Sequence, residues 1–401
     1  LDREALVNRN RAMAQAFHTL PYKHYVRRSI LQTVARIPIL PARHKRDSQE
    51  RILLIRPDHL GDVLLTTPAI RALRESRPDA EIHALVGSWS GDILGNVSEL
   101  DAVITLPFPG FSRSPKDALH SPYQLAWQSA RNLRQIGYTS AVILRPDHWW
   151  GALLAYLAGI PERIGYDLPD VAPFLTHAIP RQHEHSVLQN LRLIEKWTGE
   201  IKPEDAPFSY HVSEADRAYI DGYLEEWGVQ THQPILCIHP GSGTWVKRWE
   251  EASWATVADT LTEQLDIQIV FTGGDHEMPI VRAIVEQMTQ PACIMVGDTQ
   301  VNQLAAIFSR ARAVLGPDSG PLHLAAAVST PTVTLYGPAD PVEFGPWGPR
   351  DRHFVLTSDI GCRPCRVIDW AGDDPANHPC MQEISIARVL DAARRAAQYQ
   401  A

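Results

Sequence analysis

Gly316-Pro317-Asp318-Ser319-Gly320-Pro321-Leu322-His323-Leu324-Ala325-Ala326-Ala327 lies between two apolar runs, Ala313-Val314-Leu315 and Thr332-Val333-Thr334-Leu335-Tyr336. The order is strand, turn, helix, strand, which is how a parallel βαβ unit is written in sequence. Asp318 or Ser319 can cap the helix, and Gly320 lets a ligand come close to the backbone. The unpaired amides of the first turn carry roughly half a positive charge, which suits a phosphate. Taken alone, the stretch is equally an ordinary capped turn.

The same alternation extends to both sides. Apolar runs at 51–55, 81–86, 102–106, 141–144, 235–238, 267–271 and 293–296 read as buried strands. Helical spacing fills gaps between them, at 62–73, 123–136, 150–157 and 185–197. Such alternation predicts an α/β chain with two Rossmann-like, doubly wound domains. Prolines 203, 207 and 234 flank a polar helix where the pattern restarts. The expected layout is an N-terminal extension at 1–46, a first domain at 47–205, a linker at 206–233 and a second domain at 234–401. A chain of 401 residues accommodates two ordinary domains.

Charge is unevenly placed. The net charge is −8, yet residues 1–46 hold ten Lys/Arg against two Asp/Glu. The acidic body argues against broad nucleic-acid binding, which needs a basic face. No run approaches the ~20 apolar residues of a membrane-spanning helix, and the first residues lack the apolar core of a secretory signal. A cytoplasmic protein is expected. Between residues 23 and 37, Val26, Ile30, Val34 and Ile37 recur at helical spacing, with Leu31 beside them and Arg28, Gln32 and Arg36 opposite. This amphipathic basic helix either lies on an anionic membrane surface or packs its stripe on the protein body or a second subunit.

Three further loops follow predicted strands. His239-Pro240-Gly241-Ser242-Gly243-Thr244-Trp245-Val246-Lys247 offers exposed amides, two hydroxyls and a lysine, a set suited to a diphosphate. It lacks the Gly-Lys-Ser/Thr of a Walker loop. Phe271-Thr272-Gly273-Gly274-Asp275-His276-Glu277 adds an acid that can accept from ribose hydroxyls, or that merely favours a helix start. Gly61-Asp62 follows the first strand, where Asp62 reads as a cap or a base. Five cysteines, an odd number, argue against a disulfide framework. Cys362, Cys365, Cys380 and His378 have the spacing of a metal knuckle for structural Zn or Fe; free thiols in a structured loop are the alternative.

Together, Ile52-Leu53-Leu54-Ile55-Arg56 with Gly61-Asp62-Val63-Leu64, His239-Pro240-Gly241-Ser242 with Lys247-Arg248-Trp249, and the block from Gly316 to Ala325 resemble glycosyltransferase family 9, the heptosyltransferases of lipopolysaccharide synthesis. The resemblance runs from about Arg51 onward and leaves residues 1–46 outside. It implies a GT-B fold, with the acceptor held by the first domain and a nucleotide-sugar, typically ADP-heptose, by the second. It also implies inverting transfer to a glycan or lipid-linked glycan without a catalytic metal. The family's base falls on Asp62, its phosphate lysine on Lys247 and its phosphate cradle on Asp318, Ser319, Gly320 and His323. Ser242, Gly243 and Thr244 join the donor site, and Glu277 falls at the ribose. A protein-modifying transferase of the same fold, a catalytically silent nucleotide-sugar binder and a nucleotide-sugar epimerase are the competing readings. Residues 1–46 are expected to serve peripheral membrane or self-association.

Overall fold

The computed structural model describes residues 2–19, 21–41, 49–111, 120–230, 232–370 and 373–399. The chain divides into two compact units, residues 20–207 and residues 1–19 together with 208–401. The extension is therefore shared out. Helix α1 (Arg3–His18) belongs to the second unit and α2 (Tyr22–Val34) to the first.

The first unit holds strands β1 (Arg51–Arg56), β2 (Glu81–Gly87), β3 (Ala102–Leu106), β4 (Ser140–Ile143), β5 (Glu162–Tyr166) and β6 (His177–Ile179). They pair in parallel in the order β3-β2-β1-β4-β5-β6. All six residues of β1 are buried, as a central strand covered on both faces requires. The order reverses between β1 and β4, which opens a crevice at their carboxyl ends. Helices α3 (Leu60–Leu64) and α4 (Thr67–Ser76) follow β1, and the second restarts with Pro68 in its first turn, where a missing N–H costs nothing. Helices α5 (Ser121–Ile136) and α6 (Trp149–Leu157) flank the sheet further on, with α6 directly after β4.

The second unit repeats this plan with β7 (Ile235–Ile238), β8 (Gln268–Gly273), β9 (Ala292–Val296), β10 (Val314–Pro317), β11 (Thr332–Tyr336) and β12 (His353–Thr357). Its parallel order, β12-β11-β10-β7-β8-β9, reverses between β7 and β10. The two-Rossmann architecture is as expected. Among the described residues, no helix is long and apolar enough to cross a membrane.

Helix α1 is fastened to its unit by Arg9 on Asp373 (2.7 Å), Asn10 on the Asn377 carbonyl (2.7 Å) and Arg3 on Glu383 (2.8 Å). Its Ala14 is buried with Val246, Val367 and Trp370. Helix α2 buries a different face from the one its apolar stripe suggests. Leu31 is 3% exposed, whereas Val26 and Ile30 are 42% and 57% exposed. The inward face runs through Arg27, Arg28 and Leu31 because both guanidiniums bind Asp170 and Arg27 lies over the Trp149 ring. Ion pairs and a cation–π contact thus set the rotation of the helix.

Candidate active site

In the second unit, the loop after β7 and the turn after β10 meet at the point where strand order reverses. Lys247, at the end of a short 3₁₀ turn, places Nζ 2.6 Å from Asp318 Oδ2 and 3.4 Å from the Asp318 carbonyl. The turn is braced from behind, since Val246 is buried against Ala14 of α1. The following helix, Gly320–Ala327, has Ser319 at its N-cap, but neither expected cap forms. Asp318 is taken by Lys247, and the Ser319 side chain bonds none of the helix amides. Ser319 Oγ and His323 Nδ1 are buried without hydrogen-bond partners. His323 Nε2 stands 4.0 Å from Asp318 Oδ1, and burial lowers the imidazole's pKa against the opposing pull of that carboxylate. A lysine held by Asp318, an unpartnered hydroxyl and an unpartnered imidazole nitrogen meet at one helix start, an arrangement that suits an anion.

Ser242 is buried and Gly243 exposed on the neighbouring loop. The Thr244 hydroxyl donates to the Ile368 carbonyl at 2.6 Å, which ties this loop to the segment around Trp370. Glu277 is buried, accepts from the Gly274 N–H at 2.9 Å and lies 3.6 Å from His239 Nε2. Burial lowers the His239 pKa, although Glu277 opposes this. Gly241 leaves room for the acid: a Cβ there would stand 1.8 Å from Glu277 Oε1. Gly241→Ala is expected to cost about 1–3 kcal/mol of stability by overpacking. Urea unfolding measures this, and Gly241→Ala with Glu277→Ala should regain part of the loss if that contact is the cause.

In the first unit, Asp62 sits in the first turn of α3, where a carboxylate suits the helix dipole. Its Oδ1 is 3.2 Å from Arg56 Nη2. Arg56 is buried; its Nε faces Asp58 Oδ2 at 2.7 Å and its Nη1 donates to the Leu144 carbonyl. Asp58 is also bound by Arg145, whose Nε donates to Asp147 Oδ1 at 2.6 Å. Alternating charges thus link Asp62, Arg56, Asp58, Arg145 and Asp147 across the carboxyl ends of β1 and β4. Sequence reasoning missed this chain, though a signal for it exists. Arg-Pro-Asp-His occurs twice, at 56–59 after β1 and at 145–148 after β4.

The metal expectation does not hold. Cys362, Cys365, Cys380 and His378 do line one small cavity, but no three of their donor atoms lie within 4.8 Å of one another. His378 Nε2 is 2.7 Å from Asp373 Oδ2, and its ring packs on Trp370 at 4.3 Å. Burial raises the thiol pKa of all three cysteines, that of Cys380 to about 12. The segment serves as a packed floor under α1.

The glycosyltransferase family 9 (heptosyltransferase) model matches residues 126–371. Lipopolysaccharide heptosyltransferase 2 of Escherichia coli K12 is 26% identical over 356 residues, covering 85% of this chain and 97% of that protein. A crystal structure of a family 9 glycosyltransferase from Veillonella parvula superposes with a TM-score of 0.74 at 24% identity, covering 88% of this chain and 99% of that one. The E. coli ADP-heptose LPS heptosyltransferase II gives 0.67 at 22%, covering 86% and 98%.

Proposed function

The chain belongs to glycosyltransferase family 9 and is a glycosyltransferase with a GT-B fold, and from that premise we propose that it moves a heptose from ADP-heptose to a lipopolysaccharide core or related glycan. The observation that carries the donor half is the cradle at Lys247, Ser319 and His323. Ser319 Oγ and His323 Nδ1 there are buried without a partner, beside a positively polarised helix start and the Lys247 ammonium held by Asp318. Relatives named as heptosyltransferases supply the sugar class, and one neighbour's name supplies ADP.

In this reading Asp62 removes the proton from the acceptor hydroxyl as that oxygen attacks the anomeric carbon. The bond from that carbon to the diphosphate breaks on the opposite face, so configuration inverts. The departing diphosphate takes up negative charge, which Lys247 and the amides of the helix Gly320–Ala327 stabilise without a metal. Arg56 holds Asp62 in place for that step.

The test is a thermal-shift panel. ADP-heptose at about 100 times its dissociation constant should stabilise the protein by roughly 2.7 kcal/mol, with weaker effects from UDP- and GDP-sugars. Mixing with acceptor should release ADP. A panel in which ADP-heptose behaves like buffer removes the donor assignment, and donor turnover to an isomeric nucleotide-sugar would mean an epimerase.

We place the protein on the cytoplasmic face of the membrane through α2. Tyr22, Tyr25, Val26 and Ile30 are exposed on that basic helix, as interfacial helices require. Val26→Ser with Ile30→Ser should abolish sedimentation with anionic vesicles while transfer to a soluble acceptor persists; unchanged sedimentation removes the attachment. Substitution is the right tool here, because deleting residues 1–46 would also strip α1 from Val246 and Trp370.

A further inference from the structure

Lys247 stands on very little backbone of its own. Its 3₁₀ turn, Trp245–Lys247, is closed by the Lys247 N–H on the Thr244 carbonyl at 3.2 Å and the Arg248 N–H on the Trp245 carbonyl at 2.9 Å. So short a 3₁₀ piece is a weak element. A lysine adds a flexible stem, so the direction of its ammonium depends on how firmly that turn is held from outside.

Each of the three residues before Lys247 is fixed by a different contact. The Thr244 hydroxyl is on the Ile368 carbonyl. The Trp245 ring stands edge-on to His378, with centroids 5.6 Å apart. Val246 is 3% exposed and is buried in one cluster with Val367, Trp370 and Ala14 of α1. Beyond the lysine, Gln382 donates to the Arg248 carbonyl at 3.0 Å.

Helix α1 supports two of these residues, Val246 by packing and Trp245 through a relay. Arg9 Nη2 donates to both Asp373 oxygens, at 2.7 and 2.8 Å, and Asp373 Oδ2 lies 2.7 Å from His378 Nε2. The imidazole against Trp245 is thus oriented by an ion pair whose other half is on α1. Asn10, on the Asn377 carbonyl, and His18, whose Nε2 is 2.9 Å from the Cys365 carbonyl, keep the helix seated along its length. The family model spans residues 126–371, so Lys247 lies inside it while α1 and Asp373 to His378 lie outside.

We propose that α1 is a positioning element for Lys247: Ala14, by packing Val246, and Arg9, by way of Asp373 and His378, keep the ammonium aimed at the helix start after β10. The inference rests on the donor reading of that lysine. A fixed charge stabilises a diphosphate fully only while it is held in the productive geometry, so a looser turn weakens binding although every donor is still present.

The test uses the full chain, with isothermal titration of ADP-heptose and hydrogen exchange of the peptide that carries the turn. Ala14→Leu overpacks against Val246. It should speed exchange at residues 245–248 and lower ADP-heptose affinity by about three- to tenfold. Arg9→Gln spares that packing and should lower affinity by about two- to threefold, and Arg9→Lys should restore most of it. In the Lys247→Ala background, Ala14→Leu should change affinity by less than about 1.5-fold, because the ammonium it would misplace is gone. Val389→Ala opens a cavity under the helix Ile386–Ala397 and should lower the unfolding midpoint with donor affinity unchanged, which separates positioning from stability. Wild-type exchange and affinity in both α1 variants, or the same drop from Ala14→Leu in both backgrounds, would overturn the inference while Lys247→Ala still weakens the donor. Normal affinity in Lys247→Ala itself would remove the donor assignment of the lysine, and the role of α1 with it.

Discussion

Asp62→Asn should lower the transfer rate by roughly two to four orders of magnitude while leaving donor affinity within about twofold. Asparagine matches aspartate in size and can still accept from Arg56, so the geometry of α3 persists. What it lacks is a basic oxygen for the acceptor's proton. Arg56 itself stays in place, because Asp58 and the Leu144 carbonyl hold it independently of Asp62. A purely structural Asp62 behaves differently: asparagine is nearly as good at a helix start, so turnover and unfolding midpoint would both survive. The decisive measurement pairs single-turnover transfer with the donor dissociation constant in the folded variant. Near-normal turnover returns Asp62 to the status of a helix-start acid.

Lys247→Ala should weaken ADP-heptose binding by about 10- to 100-fold and slow transfer by a further 10²–10³-fold. Two effects combine. The diphosphate loses a charge-assisted donor, and Asp318, buried at the helix start, is left facing it with an uncompensated charge. The second part can be isolated. In Lys247→Ala with Asp318→Asn the stranded carboxylate is gone, so donor affinity should recover in part while the slow chemical step does not. Isothermal titration and single-turnover rates separate the two. If Lys247→Ala binds and turns over donor normally, the lysine is only the partner of Asp318.

The sheets, and the meeting of Lys247 with the helix start after β10, were legible because their signals are local. β1 and β7 are continuous apolar runs, and the turn after β10 carries its own glycine, hydroxyl and imidazole. The strands left unread were β5, β6 and β12, whose Glu162-Arg163-Ile164-Gly165-Tyr166, His177-Ala178-Ile179 and His353-Phe354-Val355-Leu356-Thr357 mix polar and apolar residues. They lie toward the sheet margins, where one-sided cover relaxes the demand for an apolar run. The rotation of α2 was left open for a related reason: periodicity counts carbon, whereas Asp170, which fixes Arg27 and Arg28, is more than 140 residues away. The cysteine spacing fits a knuckle, yet spacing does not say where His378 turns, and Asp373 decides that. Thr244 is a similar case, its hydroxyl claimed by a carbonyl far along the chain.

The placement of α1 has a consequence for how the protein is made. The helix leaves the ribosome well before its partners: Arg9 and Asp373 are 364 positions apart. At usual elongation rates that gap lasts roughly twenty to seventy seconds. During it, residues 20–207 can complete their own sheet, while Ala14 and its neighbours wait for Val246, Val367 and Trp370. The nascent chain therefore carries α1 without those partners until they emerge. A C-terminal fragment beginning at residue 208 would lack that helix for good, and a peptide of residues 2–19 supplied separately is the piece that would restore it.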